Sequence, residues 1–228
     1  MTSKLYDELY PRLNFLLGIR ANFNEFYNSW WTDKCLNYNG DKLSDYYDIF
    51  FSRFVTFNSL YNTIIYAKEN LGLLKKKTDK KHKIIERGDK EKAITLMAKE
   101  LTTIQLDNLF EISEINASVN NLIGILESKR FVIIHRAGHQ SPADDLLLLA
   151  KLKSTDKAEK YLGILELLYN VRCNLFHGSK GYEHDQIELL KPINVITFHI
   201  VDFLYDSFKI WTDSLINNIE IEIEKLEK

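Results

Sequence analysis

The stretch VRCNLFHGSK, Val171 to Lys180, brings an arginine, an asparagine, a histidine and a lysine close together. These residue types suit an oxyanion. A guanidinium stays charged at any pH a folded protein meets, and its planar fork matches phosphate or carboxylate; an imidazole exchanges its proton near neutrality. Tyr161, Leu165, Leu168, Arg172 and Phe176 fall on one line of a helix, because steps of three and four return to the same side at about 3.6 residues per turn. Arg172 thus interrupts an apolar stripe, where a guanidinium needs an anion or several acceptors. His177 follows after a step that turns an ideal helix by about 140°, so the two side chains diverge unless the last turn loosens or both line a shared cleft. Gly178 permits the loosening. A purely structural reading also fits: a histidine in a last turn complements the helix dipole, a glycine beyond it is an ordinary cap, and Arg172 can pair with a core carboxylate. Spacing does not decide, since Arg130 and His135 in RFVIIH repeat the interval.

The elements that must position these residues read as helices. Three prolines and nine glycines in 228 residues leave little turn chemistry, and apolar residues recur at three- and four-residue intervals, which predicts an all-α fold. A first helix is expected from Lys4 to about Phe26 with a bend at Pro11, and a second, aromatic enough to be central, from near Ser44 through DYYDIFFSRFVTFNSLYNTIIYAKEN. LLKKKTDKKHK reads as an exposed loop with a local RNA-contacting patch as its alternative. GDKEKAITLMAKEL predicts a third helix capped by Asp89, and a fourth covers about Ala117 to Glu127. The run Phe131 to Ile134 fits a strand or a buried helix end equally. Ser141-Pro142 with Asp144 and Asp145 is a helix start, Thr155 and Asp156 start the helix that carries Arg172, and a last helix runs its stripe through Leu189, Ile193, Ile196, Ile200, Phe203, Ser207, Trp211 and Leu215.

The formal net charge of −2 argues against bulk electrostatic binding to nucleic acid or membrane, so any polyanion site must be local. No stretch has the length and apolarity of a signal peptide or a membrane span, and the chain reads as cytoplasmic. Cys35 and Cys173 form no CxxC pair and read as free thiols, with Cys173 turned away from Arg172. His199, on the stripe of the last helix, reads as a satisfied core histidine, while Arg130, His135, Arg136 and His139 offer a secondary cationic surface. Walker, HExxH and paired-carboxylate metal motifs are missing from the sequence.

VRCNLFHGSK closely resembles the motif of the HEPN superfamily, helical domains named for higher eukaryotes and prokaryotes nucleotide-binding. DIFFSRFVTFNSLYN resembles the aromatic second helix that often precedes that motif in bacterial members, and GDKEKAITLMAKEL is similar to a helix expected around it. The resemblance spans roughly Ser44 to Leu215; the first forty-odd residues and KRFVIIHRAGHQ have no counterpart. It implies one helical domain over 1–228, a HEPN-like core over about 44–226 with an N-terminal helical extension over about 1–43, and a homodimer. Many members are metal-independent endoribonucleases of toxin, abortive-infection or CRISPR-associated systems, with an active site where two motifs meet across the dimer. On that resemblance Arg172 and His177 are the catalytic pair, Asn174 and Lys180 are supporting substrate contacts, no metal or cofactor takes part, and RNA and an antitoxin or defence-system protein are the expected partners. Tyr182, Glu183, His184 and Asp185 lie next to this site. Two other readings stand beside this one: a non-catalytic HEPN module binding nucleic acid, a nucleotide or a partner protein, and a helical interaction protein in which the motif is coincidental.

Overall fold

A computed structural model describes residues 2–36, 40–136, 139–176 and 186–227. These residues form an all-α protein, as the apolar spacing predicts. Helix α1 covers Thr2–Phe26 and continues as a π-helical segment, Tyr27–Leu36; α2 covers Leu43–Asn70. The last element, α7, runs over Gln186–Glu227, about 60 Å at 1.5 Å per residue. It is the spine of the molecule. Lys68 lies over the Trp211 ring and Arg53 over the Phe198 ring, so α2 runs parallel to α7. By contrast, Tyr27 bonds Asp202, Phe23 packs on Phe208 and Arg20 pairs with Asp213, so α1 runs antiparallel to it.

The main core is built from one face of α2 (Phe50, Phe54, Phe57, Leu60, Tyr61, Ile64) against Leu190, Ile193, Ile196, Ile200 and Leu204 of α7. A second cluster of Leu9, Leu13 and Leu16 with Ile216, Ile219 and Ile223 closes the far end of the α1/α7 pair. The expected stripe of α7 holds as far as Ile200. Beyond it the buried positions are Val201, Leu204, Phe208, Thr212, Ile216, Ile219 and Ile223, whereas Phe203, Ser207, Trp211 and Leu215 are only half-buried. Successive four-residue steps gain about 40° on the helix, so the buried line turns from α2 toward α1.

Between α2 and α7 in sequence lie smaller elements. GDKEKAITLMAKEL is helical but not regular: Glu91–Leu96 is π-helical and Met97–Lys99 is a 3-10 turn. Asp89 is not its cap; it stands one residue inside the first turn, whose backbone bond runs from Lys92 to the Gly88 carbonyl. The lysine-rich stretch is the exposed loop expected, held by Asp79 Oδ1 accepting from the Lys81 and Lys83 amides. Gly72, at φ 73°, lets the chain turn off the end of α2. Helix α3, Thr103–Glu111, lies outside the sequence expectation. It is announced by a reciprocal cap in which Thr102 Oγ1 accepts from the Gln105 amide and Gln105 Oε1 from the Thr102 amide. Helix α4, Ser113–Glu127, starts four residues before the expected Ala117.

Residues 131–134 lie outside regular secondary structure, and His135–Arg136 pairs antiparallel with His139–Gln140 (β1 and β2). Neither alternative for Phe131 to Ile134 holds: the run is neither helix nor strand, and the short strand begins just after it at His135. Helix α5, Pro142–Leu152, starts as predicted, with Pro142 at its first position and Asp144 and Asp145 in its first turn. Helix α6, Lys157–Phe176, is capped by Asp156, whose Oδ1 accepts from the Ala158 amide at 2.9 Å. A Cβ on Gly163 would meet Lys151 Cβ at 2.8 Å, so glycine there is what lets α5 lie close against α6.

Candidate functional site

Tyr161, Leu165 and Leu168, the stripe leading to Arg172, are fully buried in the main core. The stripe ends at the surface: Arg172 is half-buried, with its guanidinium 5.7 Å from the Phe54 ring centre on α2 and 6.0 Å from that of Tyr169. Each is a cation–π distance. One turn of helix carries the arginine from an apolar wall to an aromatic one, and the two rings hold the guanidinium while the residue as a whole stays half-buried.

Two tyrosines feel that charge. Burial pushes the Tyr61 hydroxyl above its ordinary pKa, Asp89 adds to the rise and Arg172 opposes it. Burial likewise raises Tyr169, with the Cys173 thiol second and Arg172 again opposing. The expectation that Cys173 turns away from Arg172 is overturned. Arg172 Nη1 reaches Cys173 Sγ at 3.9 Å, because the long arginine side chain curls back over the neighbouring residue. The thiol, the Tyr169 hydroxyl and the guanidinium form one polar group at the end of α6.

Asn174 is buried at 8% exposure, and its Nδ2 donates to the Ile133 carbonyl at 2.7 Å. On its other side Asp145 accepts from the amides of Ile133 and Ile134 at 3.0 and 2.9 Å. Ile133 and Ile134 are thus held between α6 and α5, directly before β1. Gln186, at the start of α7, bonds the Tyr47 hydroxyl of α2 and lies with Asn174 and Leu175 at the same end of the bundle. Three chain segments remote in sequence therefore meet where α6 ends.

Of the four residues singled out in the sequence, Arg172 and Asn174 are brought to this end, on different sides of α6. His177 and Lys180 lie outside the described residues, as do Tyr182, Glu183, His184 and Asp185. Arg130 pairs with Glu188 at 2.7 Å. His199 is partly buried rather than in the core, and its Nε2 lies 3.3 Å from Oε2 of the exposed Glu114. Among the described residues no group of three or more His, Cys, Asp or Glu side chains is placed to hold a metal ion. No described helix is long and apolar enough to cross a membrane.

The fold and this end of the bundle define the class: an all-α protein whose Arg172-bearing helix closes on a polar, aromatic-walled surface. Comparison with protein-family models, with curated proteins and with solved structures finds no match to this chain.

Proposed function

We propose that this protein is a HEPN-type, metal-independent endoribonuclease that acts as a homodimer, with Arg172 and His177 as its catalytic pair. The observation that carries the reading is the position of Arg172: a guanidinium at the end of α6, steadied by the Phe54 and Tyr169 rings and half-open to solvent, in the helix that leads directly into His177. A phosphate-binding arginine needs a guanidinium held in place with part of its side chain open to the ligand.

In the proposed reaction His177 takes the proton of a ribose 2′-hydroxyl. The 2′-oxygen attacks the adjacent phosphorus, Arg172 stabilises the negative charge that builds on the phosphorane oxygens, and the bond to the 5′-oxygen breaks as that oxygen gains a proton. The products are a 2′,3′-cyclic phosphate and a 5′-hydroxyl. Lys180 supplies a further cation to the backbone. Asn174, with its amide given to Ile133, serves the site as a positioning residue, holding Ile133 against α6. A symmetry mate brings a second Arg172 and His177 to the same cleft, which removes the difficulty of their angular separation on one helix. An antitoxin or defence-system protein is the expected regulator of such an activity.

The test is cleavage of structured and single-stranded RNAs with EDTA present, by wild type, His177→Ala and Arg172→Ala, reading the product ends. Cyclic phosphate ends formed by the wild type, and a loss of at least about 100-fold in either variant, support the assignment. An inert wild-type dimer would move the reading to a non-catalytic HEPN module. Cleavage by Arg172→Ala at the wild-type rate would remove it altogether.

A further inference from the structure

Arg53 is a half-buried cation with no counter-charge among the described residues. Arg53 of α2 donates from Nη1 to the Asn194 carbonyl at 2.6 Å and from Nη2 to the Cys35 carbonyl at 3.1 Å, and its guanidinium lies 5.1 Å from the Phe198 ring centre. Among the described residues no carboxylate pairs with it. Burial draws its pKa down to about 10, with the Cys35 thiol opposing; it stays charged at neutral pH. A half-buried charge that meets only carbonyls and a ring is incompletely compensated.

Arg53 forms one wall of a cleft of about 530 Å³ between α2 and α7. Tyr46, Ile49 and Arg53 recur on one face of α2, and Lys191, Asn194 and Val195 on one face of α7. Lys191 is exposed and makes no ion pair or hydrogen bond among the described residues. The acid of the cleft, Asp41, is exposed and pairs with neither cation. Two buried atoms, Arg53 Nε and Asn194 Oδ1, have no hydrogen-bond partner among the described residues, although Asn194 Nδ2 is satisfied by the Tyr46 carbonyl at 3.0 Å. Asn194 is 4% exposed. An unpaired donor on the α2 wall and an unpaired acceptor on the α7 wall are a deficit that a ligand offering an acceptor and a donor relieves, with a small adjustment of both side chains.

We infer that this cleft binds a small phosphomonoester, its oxygens taken by the free N–H groups of Arg53 and by Lys191, and a hydroxyl or other donor of the ligand taken by Asn194 Oδ1. A guanidinium has five N–H donors, and the two carbonyls engage one on each Nη. The remaining donors, with the Lys191 ammonium, exceed what the two oxygens of a carboxylate use and match a tetrahedral dianion. Two cations facing one peripheral acid match it in charge. This site is separate from the end of α6 and does not rest on the ribonuclease reading.

The experiment is calorimetric titration of the full chain with phenyl phosphate, benzoate and phenol. Phenyl phosphate binds saturably at one site per chain, benzoate binds more weakly and phenol does not bind. Lys191→Gln, an exposed change that leaves the fold intact, weakens phenyl phosphate about tenfold; Arg53→Gln, where it folds, abolishes binding. Arg172→Ala and His177→Ala bind as the wild type does. Absence of saturable binding at millimolar phenyl phosphate overturns the inference, as does unchanged affinity in Lys191→Gln. Loss of binding in Arg172→Ala instead would place the phosphate at the end of α6 and refute the assignment to this cleft.

Discussion

Asn174→Ala is expected to loosen residues 131–134, which lead to β1, without unfolding the helices. The wild-type amide donates at 2.7 Å to a carbonyl of Ile133, a residue 1% exposed. Alanine removes the donor and leaves that acceptor shielded from water, a cost of about 1–3 kcal/mol. The loss falls on one contact between α6 and residues 131–134, while Asp145 still holds the Ile133 and Ile134 amides, so the cost appears first as local opening. Those two amides are the natural reporters. Taking about 2 kcal/mol, their hydrogen exchange accelerates about 30-fold, since each 1.4 kcal/mol is a factor of ten. Exchange in α2 and the centre of α7 moves far less. The assay is amide exchange followed by mass spectrometry or NMR, paired with urea unfolding. Unchanged exchange at Ile133 and Ile134 would refute the stapling role. Under the ribonuclease reading, a positioning role also predicts that Asn174→Ala loses activity in step with this opening; a variant with wild-type exchange but weakened RNA binding would make Asn174 a direct contact.

Three further outcomes follow from the packing. Tyr161 is fully buried and its hydroxyl has no hydrogen-bond partner among the described residues, so Tyr161→Phe should raise the unfolding free energy by about 1–2 kcal/mol; a loss in urea denaturation would mean the hydroxyl is satisfied. Gly163→Ala gains about 1 kcal/mol of helix propensity but sets a methyl 2.8 Å from Lys151 Cβ. Overpacking of about 1–3 kcal/mol makes the net effect destabilising, and a rise in Tm would refute the close α5/α6 approach. Burial pushes the Cys35 thiol from 9.0 up to about 11, against smaller opposing effects of Arg53 and Thr56. Its contribution to stability is complete below the unfolded value near 9 and is lost as pH rises through about 11. Wild type should therefore lose more stability than Cys35→Ala over that interval, and parallel pH curves for the two would refute the shift.

The helices readable in the sequence were those whose signals are local. The aromatic period of α2, the Ser141-Pro142 start of α5 and the Asp156 cap of α6 depend on neighbours within one or two turns, so they needed no knowledge of the fold. Helix α3 also has a local signal, Thr102 with Gln105, but its nine residues are too few for an apolar period to stand out beside α4. The π-helical Glu91–Leu96 has no comparable signature, since widening the turn depends on what packs against it: Lys92 is drawn in to Asn62 on α2 and to Glu86.

The sequence by itself determined the all-α class, the frame of caps and breaks, and Arg172 as the charge that interrupts an apolar stripe. All of these follow from periodicity and side-chain chemistry along a single segment. Only the tertiary structure decided that residues 131–134 form neither helix nor strand, because Phe131 to Ile134 has both tendencies and Asn174 and Asp145 supply its backbone partners from two other helices. It alone brought Cys173 back to Arg172 and turned the lower stripe of α7 toward α1. The cleft at Arg53 belongs wholly to that level: Arg53, Asn194 and Lys191 are unremarkable in sequence, and they converge only because α2 runs beside α7. A partner supplied from more than a hundred residues away leaves no periodic trace in either segment.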